Sequence, residues 1–432
     1  MWNPTCEAMP RERLRDLQIE RLRAVVASAC ERIPFYREVC RQRGIAPQDL
    51  RSVEDVQHLP FTVKTDLRDH YPFGLFAVPL ADVVRIHASS GTTGKPIVVG
   101  YTRRDLETWT EVMARTLASG DVGPDDVVQN AYGYGLFTGG LGFHQGAERI
   151  GCTVVPTSGG FSERQLLVMQ DFGSTVLCCT PSYALSLAEE LRQAGIDPKT
   201  LKLRVGFFGA EPWSEQMRHE IEARLDVAAL DLYGLTEIIG PGVSSECLER
   251  RGMHVFEDHF LVEIVDPVTL EPLPPGRRGE LVFTTLTKEA TPVLRYRTRD
   301  ISVLHDDPCP CGRTLVRMEK ITGRTDDMLI IRGINVFPSQ IESLLVGVPE
   351  CEPHYVLVVR REKAMDELEV VVEANPEVVA QGAAAMEAAA HKVRQRIQGV
   401  VGITATVKIV PPKTLERSIG KAKRVIDERP KT

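Results

Sequence analysis

The sequence predicts an α/β fold in two parts, a large N-terminal domain and a smaller C-terminal α+β module of order βαββαβ. Three observations carry this. From about residue 80 to 240, short apolar runs alternate with Gly/Ser/Pro turns and helical patterns, as in sheets that hold ligand loops at strand ends. The next segment, near 240–325, is β-rich and punctuated by proline and glycine turns, which reads as a β subdomain on that body. After Gly323 the composition shifts and a strand–helix–strand–strand–helix–strand order begins. The boundary is placed between 325 and 326, giving domains of 1–325 and 326–432.

The individual elements follow in order. Leu14, Leu17, Leu22, Val25, Val26 and Ala29 recur at helical spacing until Pro34 stops the run, so an amphipathic helix with its arginines in water is expected. Residues 204–208 read as a strand that runs into the loop Gly209-Ala210-Glu211-Pro212. Residues 214–225 then read as a helix and 227–232 as the next strand. Strands at 261–265 and 280–285 are separated by turns at Asp266-Pro267 and Pro274-Pro275-Gly276. In the C-terminal module the expected strands are 328–331, 354–359, 368–373 and 404–409, with helices at 339–346 and, alanine-rich, at 383–397.

Bulk properties exclude several function classes. At 432 residues the chain can bury a large core, and 43% hydrophobic with 26% charged residues is ordinary globular composition. The net charge of −7 is spread along the chain without a sustained basic tract, so neither nucleic acid nor a membrane is expected as a partner. Residues 1–13 are polar, without the apolar core of a secretory signal, and no run approaches the length of a membrane span. The ten cysteines are scattered, not packed as a disulfide framework, and Cys178-Cys179 sits in an apolar run where buried thiols are expected. A cytoplasmic enzyme is the expectation.

The chemistry sits in a few loops. Ser89-Ser90-Gly91-Thr92-Thr93-Gly94-Lys95-Pro96 is hydroxyl-rich, glycine-rich and cationic, suited to wrapping a polyphosphate. It is not a Walker A loop, which needs four residues between its glycines and a hydroxyl after the lysine. Leu232-Tyr233-Gly234-Leu235-Thr236-Glu237 offers an aromatic face for a purine, a hydroxyl for a phosphate and a carboxylate for Mg²⁺. In Arg295-Tyr296-Arg297-Thr298-Arg299-Asp300 the carboxylate is placed for two ribose hydroxyls, and a buried salt bridge is the competing explanation. Gly323-Arg324-Thr325-Asp326-Asp327 reads as a hinge or a plain turn. Ser418-Ile419-Gly420-Lys421-Ala422-Lys423-Arg424 reads as a glycine-flanked lysine loop or a solvated basic tail.

In this order, and together with Ala131-Tyr132-Gly133-Tyr134-Gly135-Leu136-Phe137-Thr138-Gly139-Gly140 and Gly209-Ala210-Glu211-Pro212-Trp213, the chain resembles the adenylate-forming enzymes. Within them it is similar to the AMP-forming phenylacetate–CoA ligase family, from Trp2-Asn3-Pro4 to Ile426-Asp427. The resemblance implies that Ser89 to Lys95 hold the β- and γ-phosphates. It implies that Ala210, Glu211 and Pro212, with Asp231, Tyr233 and Gly234, frame the adenine. Thr236 would touch the α-phosphate, Glu237 would bind Mg²⁺, and Asp300 with Arg324 would hold the ribose. Lys421 would be the catalytic lysine, with Lys423 as its rival, and Asp326/Asp327 the hinge of a mobile C-terminal domain. Tyr132, Phe137, Gly139, Ala210 and Ile238 would form a flat slot for an aryl acid. The implied reaction joins that acid to coenzyme A through an acyl-adenylate, in a homodimer, releasing AMP and pyrophosphate. An adenylating ligase with another acceptor, such as a carrier protein or a cofactor hydroxyl, is the alternative. A non-catalytic nucleotide-binding protein is the third, disfavoured by the joint presence of Lys95, Glu237, Asp300 and Lys421.

One further set stands apart. Cys247, His254, Cys309 and Cys311 supply three thiols and an imidazole, the ligand set of a closed structural zinc site, with His259 as the alternative nitrogen ligand and unrelated surface thiols as the competing reading.

Overall fold

A computed structural model describes residues 1–89, 95–325, 327–331, 334–362, 365–417 and 422–429. The spine of the large domain is one hydrogen-bonded system of twelve strands among these residues. Its first half is parallel, with Thr153–Val155, Val127–Asn130, Val176–Cys179, Val205–Gly209 and Ala228–Leu235 side by side in that order. Helices Gly139–Ile150, Ser162–Asp171, Pro181–Gln193 and Glu215–Leu225 make the connections. Val176–Cys179 and Val205–Gly209 are buried at every position, as a parallel strand covered on both faces requires. Helix starts obey local rules. Thr180 and Ser214 accept hydrogen bonds from the backbone amides of Tyr183 and Met217, capping the two helices that flank the loop at Ala210.

From Leu235 the path reverses into antiparallel pairing through Gly240–Glu246, Met253–Val255, Arg317–Met318, Tyr296–His305, Arg278–Thr285 and Phe260–Val265. The β-rich segment is therefore continuous with the body. The strand Tyr296–His305 makes the join, pairing with Arg278–Thr285 along its length and with Arg317–Met318 at its end. At the N-terminus the helix Arg11–Arg32 buries Leu14, Leu22, Val25, Val26 and Ala29, the face its spacing demands.

The C-terminal module has its own core, built from Leu357, Val359, Val370, Val393 and Ile397 among others. Its four-stranded sheet runs Thr406–Val410, Met365–Ala374, Cys351–Glu362, Val425–Asp427. This corrects one expectation. The strand Leu329–Ile331 lies outside that sheet, in a hairpin with Ile334–Val336, and the fourth place is taken by Val425–Asp427. The long strand Cys351–Glu362 has an edge to be covered, and the returning end of the chain pairs with it in parallel. Among the described residues no helix is long and apolar enough to cross a membrane.

Candidate active site

Two adjoining cavities open where the strands Val205–Gly209 and Ala228–Leu235 end, and they share Ala210, Leu232, Gly234, Leu235 and Arg324 in their walls. Ala210 sits at φ +71°, a left-handed conformation that is uncommon for a residue with a Cβ. This turn carries the chain from the end of its strand across the mouth of both cavities.

The first cavity is walled by Ala210, Glu211, Pro212, Asp231, Tyr233 and Asp300, among others. Tyr233 stacks on Phe283 at 5.9 Å between ring centroids, and its hydroxyl donates to Asp300 Oδ2 at 2.6 Å. Arg324 donates to the other oxygen, Oδ1, at 2.9 Å. The backbone sets this geometry, since Asp300 and Arg324 are direct partners across the strands Tyr296–His305 and Gly323–Arg324. Burial, with Asp300's charge added to it, pushes the Tyr233 phenol far above its ordinary range, so it stays a donor. Asp231, in the same wall, is also buried, and burial pushes its carboxyl up.

The second cavity joins Ser89, Thr236 and Glu237 to an aromatic wall of Tyr132, Phe137 and Phe143. Tyr132 stacks on Phe143 at 5.1 Å and only 7° from parallel. Gly139 is required beside them, because a Cβ there would lie 2.8 Å from the Phe137 ring and 3.2 Å from Tyr132. Glu237 is buried and accepts from the Tyr296 hydroxyl at 3.3 Å. The turn that follows is anchored by three side-chain donors. Lys288 Nζ reaches the carbonyl of Ile238 at 2.8 Å, the Tyr101 hydroxyl that of Ile239 at 2.9 Å, and Trp109 Nε1 that of Pro241 at 2.9 Å.

The expected site residues are thus largely brought together, with exceptions. Ile238 does not line the cavity. The turn after Glu237 sends its side chain into the core, where it is fully buried, and its carbonyl accepts from Lys288. Lys95 is exposed, its ammonium 5.1 Å above the Tyr71 ring. Asp327 is exposed and pairs with Arg324 at 3.3 Å. Ser90, Gly91, Thr92, Thr93, Gly94, Asp326 and Lys421 lie outside the described residues. Glu211 borders the first cavity, but its carboxylate is engaged elsewhere, by the amides of Ser182 at 2.9 Å and Ala422 at 2.7 Å. Lys64, at the start of the helix Lys64–Asp69, lines the second cavity, and Lys288 lies buried behind Glu237. Neither was singled out from sequence. Each is a lone lysine in an unremarkable pattern, brought to the site only by long-range packing.

The Cys/His set does assemble. Cys247, His254, Cys309 and Cys311 place one ligand atom each within 4.8 Å of the others. Cys247 Sγ and Cys309 Sγ are 3.9 Å apart, and Cys311 Sγ and His254 Nε2 are 3.5 Å apart. Thiolates about 2.3 Å and an imidazole about 2.0 Å from one tetrahedral centre would be roughly 3.5–3.8 Å apart, so the residues fit zinc. His259 is not a member. It is buried against Asp258 and Thr287, and burial lowers its imidazole to about 4.

Residues 22–286 match the AMP-binding enzyme family, and residues 333–429 match the AMP-binding enzyme C-terminal domain. A phenylacetate–coenzyme A ligase of Thermus thermophilus is 54% identical, covering 99% of this chain and 100% of its own length. The chain belongs to the phenylacetate–coenzyme A ligase family of AMP-binding enzymes. Among solved structures, 2-hydroxyisobutyryl-CoA ligase in the postadenylation state, in complex with R3-HIB-AMP, superposes with a TM-score of 0.93 at 32% identity, covering 98% of this chain and 92% of that one. The same ligase with 2-HIB-AMP and CoA in the thioesterification state gives 0.73 at 33% identity, covering 99% and 92%.

Proposed function

We propose that this family member ligates phenylacetate, or a closely related aryl carboxylic acid, to coenzyme A through an acyl-adenylate. The observation that carries the reading is the second cavity, where the parallel rings of Tyr132 and Phe143 end beside Thr236 and Glu237 and open onto the cavity of Tyr233 and Asp300. A planar apolar group fits the first end and a nucleotide the second, so the reacting carboxylate and α-phosphate meet between them.

A carboxylate at neutral pH resists nucleophiles and has no good leaving group. Its oxygen attacks the α-phosphorus of ATP, pyrophosphate leaves, and the acyl carbon now carries AMP. The thiol sulfur of coenzyme A then attacks that carbon, and AMP departs with the bonding pair. No protein nucleophile is needed. Positioning and charge complementarity carry both steps. In this reading Tyr233 covers the adenine, and Asp300, held by Tyr233 and Arg324, takes the ribose hydroxyls. Ser89 to Lys95 hold the outer phosphates and Thr236 meets the α-phosphate. Glu237, a buried oxygen donor facing the cavity, would hold Mg²⁺, which when bound neutralises phosphate charge. Lys421 neutralises charge during adenylation, and rotation of residues 326–432 about Asp326/Asp327 then admits the thiol.

The same proposal includes a cytoplasmic homodimer and a structural zinc at Cys247, His254, Cys309 and Cys311, where four protein ligands leave no open position for catalysis. The zinc has its own test. Stoichiometric metal in the purified protein, lost together with several degrees of thermal stability in the Cys311→Ser variant, is expected. Metal-free protein of unchanged stability would remove zinc from the account.

The decisive measurement for the activity is pyrophosphate release with ATP and Mg²⁺ across a panel of carboxylic acids, with and without coenzyme A. Phenylacetate leading the panel, with the thioester and AMP appearing only when coenzyme A is added, is expected. Preference for a non-aromatic acid would overturn the substrate class. Turnover indifferent to coenzyme A would overturn the acceptor.

A further inference from the structure

Glu211 stands beside the nucleotide cavity, yet its carboxylate is spent on backbone amides from two different domains. One oxygen accepts from Ser182, in the first turn of the helix Pro181–Gln193 of the large domain, at 2.9 Å. The other accepts from Ala422, in the C-terminal segment, at 2.7 Å. Two residues further on, Arg424 closes the same junction from the other side. Its guanidinium donates to Ser182 Oγ at 2.9 Å, packs over the Tyr355 ring at 4.5 Å and lies 4.0 Å from Glu342. Glu342 in turn accepts from the Ser214 amide of the large domain at 3.0 Å and from the Tyr355 hydroxyl at 3.0 Å. Ala422 directly follows Lys421 in the chain, and Glu211 directly follows Ala210, which borders both cavities.

We infer that Glu211 is a positioning residue for the adenylation half-reaction, a carboxylate clip that fastens the segment following Lys421 to the lip of the active site. The inference rests on the adenylating activity proposed above. A carboxylate accepting two backbone amides makes two charge-assisted hydrogen bonds of fixed direction, so it sets the path of the chain and not only its proximity. The whole-chain agreement is with the relative's postadenylation state, at a TM-score of 0.93 against 0.73 for its thioesterification state. The clip therefore goes with the arrangement in which that relative holds its acyl-adenylate, not with its thioesterification arrangement. For the second step it has to open, and the Ser182 half of the fork stays with the large domain as a resting partner for the freed carboxylate.

The test separates the two half-reactions in the full-length protein. Glu211→Gln keeps the shape but lacks the charge, and Ala422→Pro keeps Glu211 but lacks the donated N–H. Both variants should cut the maximal rate of phenylacetate-dependent pyrophosphate release by about tenfold or more. Thioester formation from supplied phenylacetyl-adenylate and coenzyme A should change less than about twofold, because that step does not use the clip. Hydrogen–deuterium exchange supplies a readout independent of activity, with faster exchange at 422–429 expected in Glu211→Gln. Equal loss of both half-reactions, a raised KM for ATP with an unchanged maximal rate, or unaltered exchange at 422–429 would overturn the assignment. A wild-type protein that adenylates no aryl acid, with exchange changed as expected, would remove the proposed substrate and leave the docking contact standing.

Discussion

Two regions of this molecule are rich in charge, and they are built in opposite ways. The floor of the cleft, comprising Tyr233, Asp300, Glu237 and Lys288, is packed within the large domain and buried. Asp300 and Lys288 are each 4% exposed. The seam to the C-terminal module joins groups from separate cores, as in Arg417 with Glu189 at 3.0 Å, Arg224 with Glu352 at 2.9 Å and Lys413 with Glu190 at 3.7 Å. There the arginine and lysine side chains stay in reach of water, 23%, 27% and 52% exposed. The lesson is about reversibility. A charge buried in the floor cannot lose its partner without heavy desolvation cost, which fixes the site. A partly wet ion pair exchanges its partner for water at little net cost, which lets a domain move.

The comparison breaks most visibly at Asp300. Asp300→Ala takes the carboxylate acceptor from the buried Tyr233 hydroxyl and leaves Arg324 with Asp327, and should lower unfolding stability by about 1–3 kcal/mol while raising the KM for ATP at least tenfold. Chemical denaturation and pyrophosphate-release kinetics read the two effects. A stability loss under 1 kcal/mol would mean the floor is as wet as the seam.

Lys288 gives the next largest effect and a pH signature. Burial pushes its ammonium down to about 8 against the opposing pull of Asp105 and Glu237. Below that pH it is charged in the fold. Between about 8 and its ordinary value of 10.5 the folded form is neutral while the unfolded form keeps its proton. Its contribution to stability therefore rises with pH across that window, and the positive charge behind Glu237 is lost there. The adenylation rate should fall as pH passes about 8. Lys288→Met should be about tenfold slower at pH 7 and lack that alkaline limb. An unchanged limb in the variant would detach Lys288 from Glu237.

At the small end, Lys413→Ala in the seam should change stability by less than about 0.5 kcal/mol and leave a single unfolding transition of normal shape. A loss of 2 kcal/mol or more would show that the seam is bonded like the floor and is not built to open.

Much of this architecture was legible in the chain, for local reasons. The apolar run before Gly209-Ala210-Glu211-Pro212 and the helical pattern over 214–225 are short-range signals, and they mark the strand and helix on either side of that loop. The β-rich segment was legible as strands but not as part of the main sheet, because pairing between Arg317–Met318 and Met253–Val255 joins residues far apart in sequence. The module's first expected strand is present at Leu329–Ile331, but its place in the sheet was not legible for the same reason. Nothing near Leu329–Ile331 announces that Val425–Asp427 will take its place.

Residue types and their order determined the two-domain α/β plan, the loops of Tyr233, Glu237 and Asp300, and the donor set of three cysteines and a histidine. These depend on backbone propensity and side-chain chemistry, which a chain carries wherever it goes. Tertiary structure alone decided which groups face one another. Cross-strand register sets His254 opposite Arg317, beside the loop of Cys309 and Cys311, and leaves His259 with Asp258. The turn after Glu237 hides Ile238, buried packing aims Lys288 at its carbonyl, and domain docking gives Glu211 to Ala422. Such choices turn on differences of a few ångströms between segments far apart in sequence, and hydrophobic packing, which has no direction of its own, settles them only when the whole chain is in place.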